Sequence, residues 1–71
     1  MATGDITTWN DAFGEGLVTE DGDGVHGVQK RNCTPRLLAK LSGRAIPPDS
    51  QPVTFSGVAA GNQALDVDAA D

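Results

Sequence analysis

Gly4-Asp5-Ile6-Thr7-Thr8-Trp9-Asn10-Asp11-Ala12-Phe13-Gly14-Glu15-Gly16-Leu17-Val18 is the stretch whose reading decides the fold. Ile6, the Thr7-Thr8 pair and Trp9 favour extended backbone, and Asn10-Asp11 is a turn signal. Gly14 and Gly16 then alternate with Glu15 and Leu17 before Val18 and Thr19. The local reading is two strands, about 5–10 and 15–20, joined by a short turn. Glycine at every second strand position leaves one face bare, so something must approach the backbone there. A strand crossing at a barrel corner or a flat ligand would fill that space.

Outward from this hairpin, Asp21-Gly22-Asp23-Gly24 favours a tight turn into a third strand over 25–29, in which Val25 and Gly27 alternate with His26 and Val28. A helix is expected over 34–42. Thr34 is a good N-cap, Pro35 suits the first helical position, and Gly43 follows as a stop. Leu37, Leu38 and Leu41 share one side, and Arg36, Lys40 and Arg44 form a stripe on another. Leu38 or Leu41 is expected to plug the barrel end, with the cations facing water. Ile46-Pro47-Pro48-Asp49 reads as a stiff, extended connector. A fourth strand over 51–56 points Val53 and Phe55 inward, a loose hairpin covers 57–61, and a fifth strand covers 62–67. The tail 68–71 is expected to be disordered.

Gly4-x-Ile6-x-x-Trp9-Asn10-x-x-x-Gly14-x-Gly16-Leu17-Val18 resembles, without a gap, the opening G-x-V-K-W-F-N-x-x-K-G-F-G-F-I of bacterial cold-shock domains. The resemblance weakens mid-chain and returns at Gln51-Pro52-Val53-Thr54-Phe55 and Ala64-Leu65-Asp66-Val67. It implies a five-stranded antiparallel OB-type barrel. The short helix between strands three and four departs from the closer family toward the wider fold. Thr8 stands at the family's exposed Trp, Glu15 at a stacking Phe, and Leu17 at another. His26 falls on a stacking Phe of the family's V-F-V-H-F strand. The scaffold pattern is kept while the aromatic face is largely replaced.

Seventy-one residues make one domain, and a chain this short buries only about 60–65% of its unfolded surface. A deep catalytic cavity beside a core is not expected. The single Cys33 forms no internal disulfide, and no Cys/His cluster or EF-hand loop marks a metal site. His26 and Cys33 lack the pocket and oxyanion donors of a nucleophile pair. Gly14-Glu15-Gly16 is too short for a dinucleotide loop. The chain therefore reads as no enzyme, with no cofactor. Without an apolar run of membrane-spanning length, a cytoplasmic, monomeric protein is expected.

Net charge is −5, yet all five cations, Lys30, Arg31, Arg36, Lys40 and Arg44, fall within fifteen residues that hold no acid. A local basic patch attracts phosphate even on an acidic body. The expected function is modest binding of single-stranded RNA or DNA in gene regulation, through Trp9, Phe13, His26, Lys30 and Arg31. Arg36, Lys40 and Arg44 are possible phosphate or partner contacts. The alternative is a protein-interaction module on the transcription or translation machinery. It would act through the acidic surface or the basic helix, with nucleic-acid binding lost. A third possibility is a folded domain with neither activity.

Overall fold

The computed structural model describes every residue except Asp23. Strands β1 (Ala2–Asn10), β2 (Glu15–Glu20) and β3 (Val25–Gln29) form an antiparallel meander. A 3₁₀ turn, Lys30–Asn32, leads to helix α1 (Pro35–Leu41). Then follow β4 (Gln51–Phe55), β5 (Gly57–Ala59), β6 (Gln63–Leu65) and β7 (Asp68–Ala69). The strands lie in the order β5-β6-β3-β2-β1-β4-β7. The molecule is mainly β, with one short helix after the third strand.

The five-stranded antiparallel OB-type barrel expected from the sequence is not what the ladders describe. They form a seven-stranded mixed sheet that is not closed, with β5 and β7 at its edges. The β3–β6 pairing is parallel, through Gly27 and Gln63, and Cys33 bridges Val67 in the same sense. Parallel neighbours need a long crossover, and the segment carrying α1, β4 and β5 provides it. The segment 57–61, expected as a loose hairpin, contributes β5. The fifth strand is the short β6, followed by the isolated bridge at Val67.

The tail is a second correction. Asp68 and Ala69 pair with Thr54 and Val53 as β7. Ala69 is buried in the core, so residues 68–71 are ordered by apolar contact and backbone bonding. The proline connector also differs from an extended path. Both the Ile46–Pro47 and Pro47–Pro48 bonds are cis, and the Asp49 N–H closes a turn onto the Ala45 carbonyl at 3.0 Å. Buried Ile46 anchors this turn to the core. The expected tight turn at 21–24 includes Asp23, which lies outside the described residues. Around it, Glu20 N–H bonds the Gly24 carbonyl at 3.0 Å.

The core gathers Ile6, Val18, Val28, Val53 and Phe55 from the sheet with Leu37 and Leu41 from α1. Leu41 packs there as expected and Leu38 only in part, while Leu37 is fully buried. Thr34 caps the helix, its Oγ1 accepting the Leu37 N–H at 3.2 Å and donating to Asp68 Oδ1 at 2.7 Å.

Candidate functional site

A bulge in β1 determines which side chains face outward. Ile6 pairs with Val18 and Thr8 with Leu17, so two steps along β1 match one along β2. Simple alternation from buried Ile6 would turn Thr8 in and Trp9 out. The extra residue reverses this. Thr8 is exposed, and Trp9 is half-buried against the core with Nε1 donating to Asp11 Oδ1 at 3.4 Å. The bulge also explains Gly16, opposite Trp9. A Cβ there would lie 2.0 Å from the Thr8 carbonyl oxygen. A crossing strand, rather than a ligand, fills the bare face of Gly16.

On the outer face of β1–β3 an open groove of about 350 Å³ is lined by Thr8, Asn10, Phe13, Glu15, Leu17, Gly27, Gln29 and Gln63, with Gly16 and Val28 beneath. Asn10 Oδ1 accepts the N–H groups of Ala12 and Phe13, both at 3.1 Å, and so shapes the turn that carries Phe13. Phe13 is 78% exposed, the most open aromatic of the chain. Gly14 adopts φ +69°, a conformation that favours glycine. Its carbonyl accepts the Lys30 N–H at 2.8 Å. That bond, and the Lys30 stem packed against Gly14, set Lys30 beside the turn that carries Phe13; Arg31 follows it in the chain, and both cations are exposed.

His26 is not on this face, which corrects its expected place as a stacking residue. It pairs with buried Val18, so its ring turns inward and meets Phe55 edge-on at 5.9 Å. Its Nε2 contacts Glu20 Oε1 at 2.8 Å and its Nδ1 contacts Asn62 Oδ1 at 2.6 Å. Asn62 Nδ2 donates to the Val25 carbonyl at 2.8 Å, which fixes the amide's orientation. Gly27 and Gln29 hold the outward positions on β3, one residue out of step with the family pattern. The Gln63 amide lies over Gly27, and Gln63 Oε1 is a buried acceptor without a partner among the described residues. Asn10, Gln29 and Gln63 are groove residues that the sequence reading missed. Only the register of the strands reveals them.

The helix cations do not present an open stripe. Arg36 donates to the Ala69 and Asp71 carbonyls and lies 3.5 Å from Asp68. Lys40 lies 3.6 Å from Asp71. Arg44 donates to the Ser50 carbonyl at 2.7 Å. The Thr34 hydroxyl, the Ala69 N–H and Arg36 hold the Asp68 carboxyl below its ordinary range. The Gln51 amide and Lys40 do the same for Asp71. Burial pushes the Cys33 thiol up to about 11, so it stays protonated and weakly nucleophilic at neutral pH. Among the described residues, no group of three or more His, Cys, Asp or Glu side chains is placed to hold a metal, and no helix is long and apolar enough to cross a membrane.

Comparisons with protein-family models, curated proteins and solved structures found no match.

Proposed function

We propose that this chain is a divergent cold-shock-like OB domain that binds single-stranded nucleic acid with modest strength through the groove, in a gene-regulatory role. The strand order supports the fold part of this reading. Ser56 alone separates β4 from β5. Taken as one bent strand, 51–59 borders β1 at one end and β6 at the other, the neighbour relations of a five-stranded OB barrel. On that view β7 is an added edge.

The observation that carries the functional part is exposed Phe13 on the rim of the groove with Lys30 packed against the adjacent Gly14 and exposed Arg31 next in the chain. Bases stack on aromatic side chains in such folds while cations follow the phosphates. One exposed aromatic supports one stack, about 1–3 kcal/mol. Two cations predict a log K against log salt slope near −1.4, about −0.7 per contact on a single strand. A chemical-shift titration with a mixed single-stranded oligonucleotide tests this. Shifts are expected in 13–17 and 27–31. Phe13→Ala should lose about 1–3 kcal/mol with the slope kept, and Lys30→Glu with Arg31→Glu should flatten the slope. Absence of binding at low salt overturns the reading.

A protein-interaction module is the second reading. Glu15 sits among the groove residues, His26 is withdrawn from the face, and the C-terminal tail already engages Arg36 and Lys40. An unmoved groove in the same titration favours it.

A further inference from the structure

The register of the first three strands sorts the outward side chains into two rows. Thr8, Leu17 and Gly27 lie side by side in one, and Asn10, Glu15 and Gln29 in the next. The first row is a low floor. Leu17 is half-exposed, and Gly27 has no side chain and is covered by the flat Gln63 amide. The second row sets a carboxylate between two carboxamides. Among the described residues, Glu15 is the only charged side chain lining the groove. Asn10 spends its carbonyl oxygen on the Ala12 and Phe13 N–H groups, so its NH₂ end is the one left to offer.

A flat ring resting on the first row turns one edge toward the second. A carboxylate only accepts hydrogen bonds, and two adjacent N–H donors satisfy both of its oxygens. Among the five common bases, guanine alone carries two adjacent donors on one edge, N1–H and the N2 amino group. Its O6 beside them accepts from the Asn10 or Gln29 amide. Uracil and thymine offer a single N–H between two carbonyls, which sets a carbonyl against one carboxylate oxygen. Adenine and cytosine offer an amino group beside a ring acceptor, with the same conflict. Resting on the nucleic-acid reading above, we infer that the groove selects guanine, with Glu15 reading its N1–H/N2–H edge. The base can come from a single strand or from a free guanosine nucleotide.

The test uses four short single-stranded oligonucleotides that differ only in one central base, together with guanosine monophosphate and adenosine monophosphate. The whole protein is followed by amide chemical shifts, including the side-chain amides of Asn10 and Gln29. The guanine strand should bind about tenfold more tightly than the other three, and it should shift both side-chain amides with Gly27. Glu15→Gln should melt like the parent, since Glu15 is exposed, and should reduce the preference to less than about twofold. Guanosine monophosphate as tight as the strand identifies a nucleotide site, and a clearly weaker fit identifies a base in a strand. Either result requires guanine to beat adenosine monophosphate. Binding of all four strands without preference overturns the inference while leaving the nucleic-acid reading intact. A preference that survives Glu15→Gln also overturns it. No binding by any strand or nucleotide defeats both.

Discussion

Two glycines with the same sequence appearance have opposite energetic weight. At Gly16 an added Cβ would meet the Thr8 carbonyl oxygen at 2.0 Å and the Trp9 Cα at 2.9 Å, both backbone atoms that cannot rotate away. At Gly43 it would meet nothing within 4 Å. Gly16→Ala must therefore prise β1 from β2 at the bulge. It is expected to cost about 1–3 kcal/mol, as overpacking does, and to lower the melting temperature by several degrees or more. Gly43→Ala should melt within a degree or two of the parent. Thermal denaturation of both variants checks the contrast. Equal melting curves would mean that the β1–β2 crossing is looser than described.

At the scale of the element, α1 is short for an independent helix, so packing and its cap must hold it. Its seven residues bury Leu37 and Leu41, with Leu38 at the margin of the core. Leu37→Ala or Leu41→Ala should each cost about 2–5 kcal/mol, the range for a buried leucine. Such a loss is a large part of the stability of a domain this small. Leu38→Ala should cost clearly less. Urea midpoints for the three variants give the order directly, and a Leu38 effect as large as that of Leu41 would reassign the packed face. The residues that form the helix were readable from Thr34, Pro35 and the leucine spacing. Which leucine is deepest was not, because it depends on where β7 and the sheet lie beneath α1.

For the whole molecule, the tail ties the last strand to the helix. Asp68 and Asp71 accept from Thr34 and Gln51, and Arg36 and Lys40 stand beside them. Both carboxyls are held below their ordinary range in the folded chain. As pH falls, the unfolded chain takes up these protons first, so acid favours unfolding. Their stabilising contribution is complete above the ordinary carboxylate range near 4. It is lost as pH drops through that range to the lower folded values. Replacing Asp68 and Asp71 by Asn should lower stability at pH 7 and flatten the loss as pH falls below about 4. Urea midpoints from pH 7 down into the acid range test this. An acid limb as steep as the parent's would show that other carboxylates govern it.

The sequence by itself determined the elements whose signals are local. The limits of β2 and β3 follow from β-branched residues between turn formers, and the helix from its cap and its leucine spacing. The alternation of buried Val53 and Phe55 in β4 was also legible. Tertiary structure decided everything that depends on partners distant in the chain. The bulge that turns Trp9 inward is visible only in the register of β1 against β2. His26 faces the core because its partner is Val18, and its ring is held by Asn62, thirty-six residues away. The acidic tail looked like a solvated end. It is ordered because Ala69 enters the core and the helix cations face the last carboxylates. The groove, finally, is a product of register. Asn10, Glu15 and Gln29 become neighbours only when three strands align, and no window of sequence contains that alignment.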